Sequence, residues 1–352
     1  MIDRRAFVAG GLCLGVPVTG WANSQARSRA AALSAIALPS GFNGVLAYGR
    51  RGRIEALRNV GLADLDSKRP ITDETTFRWG SVSKWLTSVA ALRLVEQGRL
   101  RLDAPIAEQL PELPRDTGSR VTLRHLLSNT SGIPDLLSRR LGAEPELRTS
   151  TATATQILAR FGGDELAFTP GEGWDYAALN WVLVAAILER AGGADFPTLL
   201  RDRVFRPLGM RGAQLVQAGQ AELPTLAAAY DAGNPPRRKM SPVPPFLAAS
   251  GNIAGSASDA VRAAHGIFHG SLLGAEARRH LTQIVWPAED YALGGRVRTI
   301  GGERWAWEAG KVGGYRTLIV HRLKQSETIA LFVTGDQEQS LLSQWAERVI
   351  QG

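Results

Sequence analysis

Two pairs of β-rich segments stand at opposite ends of the chain, and their placement constrains the fold more than any other feature. Residues 44–48 and 54–60 flank Gly49-Arg50-Arg51-Gly52-Arg53 and read as a β-hairpin. Residues 317–323 and 328–333 form a matching pair, separated by residues 324–327. Between the pairs the pattern is helical. Leu86, Val89, Ala90, Leu94 and Val95 recur at helical spacing and stop at Gly98, and residues 181–191 stop at Gly192-Gly193. Terminal strands that share one sheet around inserted helices make an α+β chain, an antiparallel sheet flanked by helices with an inserted helical lobe. The sheet lobe is expected from about residues 36–80 and 285–352, the helical lobe from about 81–284, and the site in the cleft between them.

Composition removes several alternatives. In 352 residues, 44% are apolar and 21% charged, which excludes disorder, and no fixed-period repeat supports a solenoid. Lys plus Arg exceeds Asp plus Glu by 41 to 33, but the arginines are scattered in ones and twos (Arg50-Arg51, Arg139-Arg140, Arg237-Arg238) without interleaved aromatics. That argues against nucleic acid as a partner and for a basic surface suited to anionic cell-envelope polymers. Arg4 and Arg5 precede an apolar stretch, 6–18, too short to span a bilayer, and residues 3–7 resemble a twin-arginine export signal. Residues 1–22 are therefore expected to be removed after Ala22, leaving 23–352 as a single two-lobed domain in the periplasm. No later stretch is apolar enough to be an integral membrane segment. The one cysteine, Cys13, lies in the signal, so the mature chain carries no thiol chemistry.

Metal and nucleotide signatures are absent. His125, His265, His269, His280 and His321 form no HExxH, Gly310-Lys311-Val312 lacks the rest of a phosphate loop, and no Gly-x-Ser-x-Gly elbow occurs. Neither metal nor cofactor is expected. What remains is Ser81-Val82-Ser83-Lys84, whose spacing puts a hydroxyl and an amine on one helix face. A serine alcohol needs a neighbouring base, and a lysine becomes one when burial or nearby cations depress its pKa. Taken alone, the same residues also suit a helix N-cap and a solvated first-turn lysine.

Longer flanks decide between these readings. Residues 76–84 around Ser81, 123–135 (Leu-Arg-His-Leu-Leu-Ser-Asn-Thr-Ser-Gly-Ile-Pro-Asp), 170–176 (Pro-Gly-Glu-Gly-Trp-Asp-Tyr) and 205–210 (Phe-Arg-Pro-Leu-Gly-Met) resemble, in order, the class C β-lactamases, D,D-peptidases and related serine esterases. The resemblance implies a serine β-lactamase/penicillin-binding-protein-like fold with Ser81 as nucleophile, Lys84 as base and Tyr176 as proton shuttle. Its phenol would be held low by Lys84 and Lys311. The family's Tyr-x-Asn ends here in Ala178, and Asn180 falls on another helix face. Its Lys-Thr-Gly or His-Thr-Gly is matched to Lys311-Val312-Gly313, so Lys311 would supply positive charge, Val312 and Gly313 would line the substrate edge, and the N–H groups of Ser81 and Gly314 would form the oxyanion hole. Residues 250–259 resemble the family's Gly-rich segment before a helix capped by Ser258 or Asp259, and one or two of Trp79, Trp85, Trp174, Trp305 and Trp307 are expected at an acyl pocket. The implied function is an exported serine hydrolase that acts through an acyl-enzyme on a small-molecule ester, amide or peptide, with esters and small amides preferred because Asn and Thr are both missing. A low-efficiency β-lactamase or D,D-carboxypeptidase is the alternative, and a silent envelope-binding protein on the same fold is another.

Overall fold

A computed structural model describes residues 18–161, 165–217, 223–239 and 244–352, with side chains from residue 24 onward. Arg4, Arg5 and Cys13 of the expected signal lie outside the described residues.

The two terminal strand pairs do share one sheet. Strands β1 (Asn43–Arg50), β2 (Arg53–Val60), β3 (Arg296–Ile300), β4 (Glu303–Val312), β5 (Tyr315–Arg322) and β6 (Glu327–Thr334) form six antiparallel strands in the order β2-β1-β6-β5-β4-β3. Period-two alternation sorts their side chains onto two buried faces. Leu46, Tyr48, Leu318, Val320, Leu331 and Val333 pack under two terminal helices, α1 (Val18–Ser34) and α5 (Gln339–Gln351). Val45, Ala47, Ile319, Ala330 and Phe332 face the opposite core. Because both faces are covered, these strands read as continuous apolar runs. Arg29 of α1 pairs with the buried Glu327 and donates to the Ile350 carbonyl, tying both termini to the sheet.

The core of the second face continues into the helices α2 (Ser83–Glu96), α3 (Ala178–Gly192) and α4 (Ala257–Phe268). Gly193, at φ +69°, takes the left-handed turn that ends α3. Helix α4 departs from the expected lobe boundary, since it lies within 81–284 yet packs directly on β1 and β6. Its cap is also neither Ser258 nor Asp259. Ser256 caps it, accepting from the Asp259 N–H while Asp259 accepts from the Ser256 N–H. A small three-stranded sheet, Phe77–Arg78 with Ile253–Gly255 and Gln214–Leu215, sits inside the helical part. Among the described residues no helix is long and apolar enough to cross a membrane.

Candidate active site

The segment Gly80–Val82 is a 3-10 turn that runs into α2, so Ser81 sits at the helix entrance and is not its cap. Both sides of the turn are fixed. The Trp79 N–H donates to the Ile253 carbonyl at 2.8 Å, the Ile253 N–H donates to Ser83 Oγ at 3.1 Å, and Thr317 Oγ1 donates to the Arg78 carbonyl at 3.1 Å. The small sheet thereby carries residue 250 to the mouth of the turn. One helical step on from Ser81, Lys84 Nζ lies 3.3 Å from Ser81 Oγ and donates to the Ser250 carbonyl at 2.7 Å. Lys84 is 3% exposed, above the rings of Tyr176 (4.9 Å) and Trp181 (5.4 Å). Burial pulls its ammonium down from 10.5 to about 7, with Glu308 opposing the fall and Arg296 adding to it.

Tyr176 arrives from the segment before α3, and its hydroxyl is near enough to the Ser81 side chain for Ser81 to oppose the upward shift of the phenol. Tyr291 meets the ring edge-on at 6.2 Å, and Trp174 stands 6.0 Å away. Of the two ammonium groups expected to flank the phenol, Lys84 lies over its ring and Lys311 does not join it. Burial, followed by the nearby Glu308, pushes the phenol above its ordinary value, so at neutral pH Tyr176 is a proton donor.

Strand β4 corrects the remaining assignments. Strand β3 pairs only with residues 303–307 of β4, which leaves 308–312 as a free edge against the nucleophile turn. Trp305, Trp307 and Ala309 pack toward the terminal helices, whereas Ala306 and Val312 pack on the other core. By the same alternation the Lys311 side chain points away from Ser81, and it is exposed. It supplies no charge to the site.

The group on the site face is Glu308. It is 1% exposed and paired with Arg296 at 3.4 Å, and Arg296 also reaches Glu289 at 3.3 Å and lies over the Tyr291 ring at 5.3 Å. Burial lifts the Glu308 carboxyl from 4.5 to about 7, against the pull of Arg296 and Lys84. Two residues on, a side chain at Gly310 would strike the Trp79 carbonyl and lie 3.3 Å from the Ser81 nitrogen. The element beside the nucleophile is therefore Glu308-Ala309-Gly310, three residues before the expected Lys311-Val312-Gly313.

Backbone direction follows from one bond. The Leu323 N–H donates to the Arg304 carbonyl at 3.0 Å, and the unbroken register carries that hydrogen-bonded phase to Gly310–Thr317 and Val312–Tyr315. The N–H groups of Ala309 and Lys311 thus point out of the sheet edge, and the Lys311 nitrogen would be 2.9 Å from a Cβ built on Gly80. The amide that accompanies Ser81 is that of Lys311. Gly314 lies in the β4–β5 turn, pressed against Ala229 and the Tyr230 carbonyl, and does not face Ser81. Val312 and Gly313 are half-buried at the end of the same edge.

Ala178 is the first residue of α3. Asn180 is fully buried, where it accepts from Ser131 Oγ at 2.7 Å and contacts Asn129 at 3.4 Å, so it does not stand in for the missing amide. Of the five tryptophans, Trp174 reaches the site, through Tyr176 and Tyr291, while Trp305 and Trp307 lie under the terminal helices. No group of His, Cys, Asp or Glu among the described residues is arranged to hold a metal.

The comparisons concern the fold and the family. A D-amino acid amidase from Ochrobactrum anthropi, solved with L-phenylalanine amide, superposes with a TM-score of 0.75 over 94% of this chain and 98% of that one at 21% identity, a likeness of fold. Esterase EstB of Burkholderia gladioli is 38% identical over 197 residues, 53% of this chain and 49% of that protein. A D-aminopeptidase of Cereibacter sphaeroides is 34% identical over 179 residues, 50% of this chain and 33% of that protein. The chain thus spans half or less of the length of these two relatives. The family described as Beta-lactamase matches residues 37–351, most of the chain, and the chain belongs to that family of serine hydrolases.

Proposed function

We propose that the protein hydrolyses esters or small amides through an acyl-enzyme on Ser81. One observation carries the reading: Ser81 Oγ is held 3.3 Å from a buried lysine whose pKa is about 7, so an uncharged amine is at hand near neutral pH. Lys84 takes the Ser81 proton as Oγ attacks the carbonyl carbon. The oxyanion is received by the N–H groups of Ser81 and Lys311. Tyr176, a neutral phenol beside Ser81, donates to the leaving group and recovers its proton from the Lys84 ammonium. Water then attacks the acyl-enzyme with the same groups in reverse.

Glu308 supports an uncharged substrate. Where the family pattern places a cation, this site presents a carboxylate already paired with Arg296. A β-lactam or D,D-peptide would bring its own carboxylate to that edge without a free partner. The esterase and D-aminopeptidase relatives fit the proposed substrate class. Intact-mass analysis after exposure to a fluorophosphonate and, separately, to a penicillin tests the reading. We expect a fluorophosphonate adduct on Ser81 and none from penicillin. Both adducts would favour the penicillin-recognising alternative, and neither adduct the silent binder.

We also propose that residues 1–22 are an export signal, on the strength of Arg4-Arg5. Processing after Ala22 would keep Ala26, Arg29 and Leu33, which dock α1 on the sheet. Replacing both arginines by lysine and following the protein between cell compartments tests the proposal. Unchanged export would refute the twin-arginine assignment.

A further inference from the structure

The fold carries a second, basic cavity that the hydrolase chemistry does not use. It measures about 850 Å³ and is bounded by the β1–β2 turn, one face of α4, the C-terminal end of α2 and residues 270–272. Arg93 is its contribution from α2, nine residues beyond Lys84, or about 14 Å along the helix at 1.5 Å per residue. None of the residues placed around Ser81 lines it.

Four arginines line it, Arg51, Arg53, Arg93 and Arg262, and no Asp or Glu lines the cavity among the described residues. Arg93 and Arg262 each have a carboxylate only at 3.8 Å, Glu96 and Asp259 respectively. Arg51 and Arg53 make no ion pair among the described residues. The turn that presents them is fixed. Gly52 packs on the His265 ring, where an added Cβ would lie 3.0 Å away, and the Arg51 N–H donates to the Ser326 carbonyl at 2.9 Å. The Arg93 guanidinium is pinned by a 2.9 Å bond to the Leu272 carbonyl, while its Nε is buried with no hydrogen-bond partner. Such a buried donor is costly unless an acceptor arrives. Four arginines against two carboxylates leave a local excess of positive charge, and Arg51 adds to burial in lowering the pKa of His265.

We propose that this cavity binds an organic phosphate. Planar guanidinium groups match phosphate oxygens in pairs, which ammonium groups do not. The volume exceeds what a lone phosphate needs and lies in the range for a small organic ligand. Ile54, Pro207, Leu208 and Leu272 supply an apolar wall for the organic body. The phosphate can belong to a free metabolite or to a phosphate-bearing polymer, since both present anionic phosphate oxygens to the guanidinium groups.

Titration calorimetry with glucose 6-phosphate, long-chain polyphosphate and glucose distinguishes these sources. We expect at least one phosphate probe to bind, glucose not to bind, and the affinity to fall as salt is raised. Binding of glucose 6-phosphate assigns a small ligand, and binding of polyphosphate alone assigns a polymer. An R51S/R53S double variant should weaken that affinity at least about tenfold, because it removes two charge-assisted contacts. Both positions are exposed, so the ligand-free melting temperature should be unchanged, a readout independent of the hydrolase assignment. No binding of either phosphate probe up to about 10 mM, or equal affinity in the double variant, would overturn the proposal.

Discussion

Lys84→Met should disable the enzyme and stabilise the protein. In the native fold the amine is buried, and its pKa falls from 10.5 to about 7. Keeping that group out of water costs roughly 4 kcal/mol at pH 7 as an upper limit, from 1.36 kcal/mol per tenfold change in proton affinity. Methionine fills similar space without a charge. Against the gain stands the lost bond to the Ser250 carbonyl, about 1 kcal/mol, and the loss of a cation near Glu308. A net gain of roughly 2 kcal/mol, or about 4 °C in melting temperature, is expected at neutral pH. Its pH dependence identifies the cause. The unfolded lysine keeps its proton up to 10.5 and the folded one releases it above about 7, so the wild type gains stability as pH rises through that window. The variant lacks this rise, and its advantage should be fully present below about pH 7 and lost by about pH 10. Scanning calorimetry between these limits, with p-nitrophenyl acetate turnover alongside, makes the measurement. A variant that melts lower than wild type at neutral pH, or by a pH-independent margin, would refute the account of Lys84 as a group held neutral by burial.

Lys311 separates backbone from side chain. Lys311→Ala should stay within about threefold of the wild-type rate, whereas Lys311→Pro removes the outward N–H and should lower kcat by about 100-fold or more, and equal losses would return the role to the ammonium group. Glu308→Gln removes a charge that favours the Lys84 ammonium, so the acidic limb of the kcat/KM profile should move to lower pH. An unmoved limb, or one moved upward, would break the link between the two groups. Tyr176→Phe keeps the ring contacts with Trp174 and Tyr291 and should cost about 100-fold in acylation with little change in melting temperature, while near-normal rates would make the tyrosine structural.

Four of the six strands, the two terminal pairs, were legible because their signals are local. Alternating residues of β1, β5 and β6 are buried on both faces, and the glycines at 98 and 193 end their helices where the pattern stops. Ser81 and Lys84 were legible for the same reason, since three-residue spacing in a helix fixes proximity. Strand β4 was not. Two of its charged residues, Glu308 and Lys311, differ by an odd number and so lie on opposite faces, and only the pairing with β5 tells which face meets Ser81. A search for a cation followed by a small residue and glycine stops at Lys311 and passes over Glu308-Ala309-Gly310, where the spacing is right and the charge is reversed. Arg296 left no signal either. It reaches the site from the next strand, through an ion pair that sequence order does not reveal.

That reversed charge is consistent with the rest of the site. Burial lowers Lys84, and Arg296 lowers it further. A second cation at position 308 would depress the amine below neutrality and weaken it as a base, because proton affinity and basicity fall together. A carboxylate there does the opposite, offsetting Arg296 and leaving Lys84 near 7, where it is half-free to accept a proton at neutral pH. Glu308 and Arg296 thus complete each other's charge and set that of the base. Among the described residues the same pairing leaves the edge beside Ser81 with backbone donors and no free side-chain cation, so on the proposed function the tuning of the base and the preference for uncharged substrates have one origin, the carboxylate at 308.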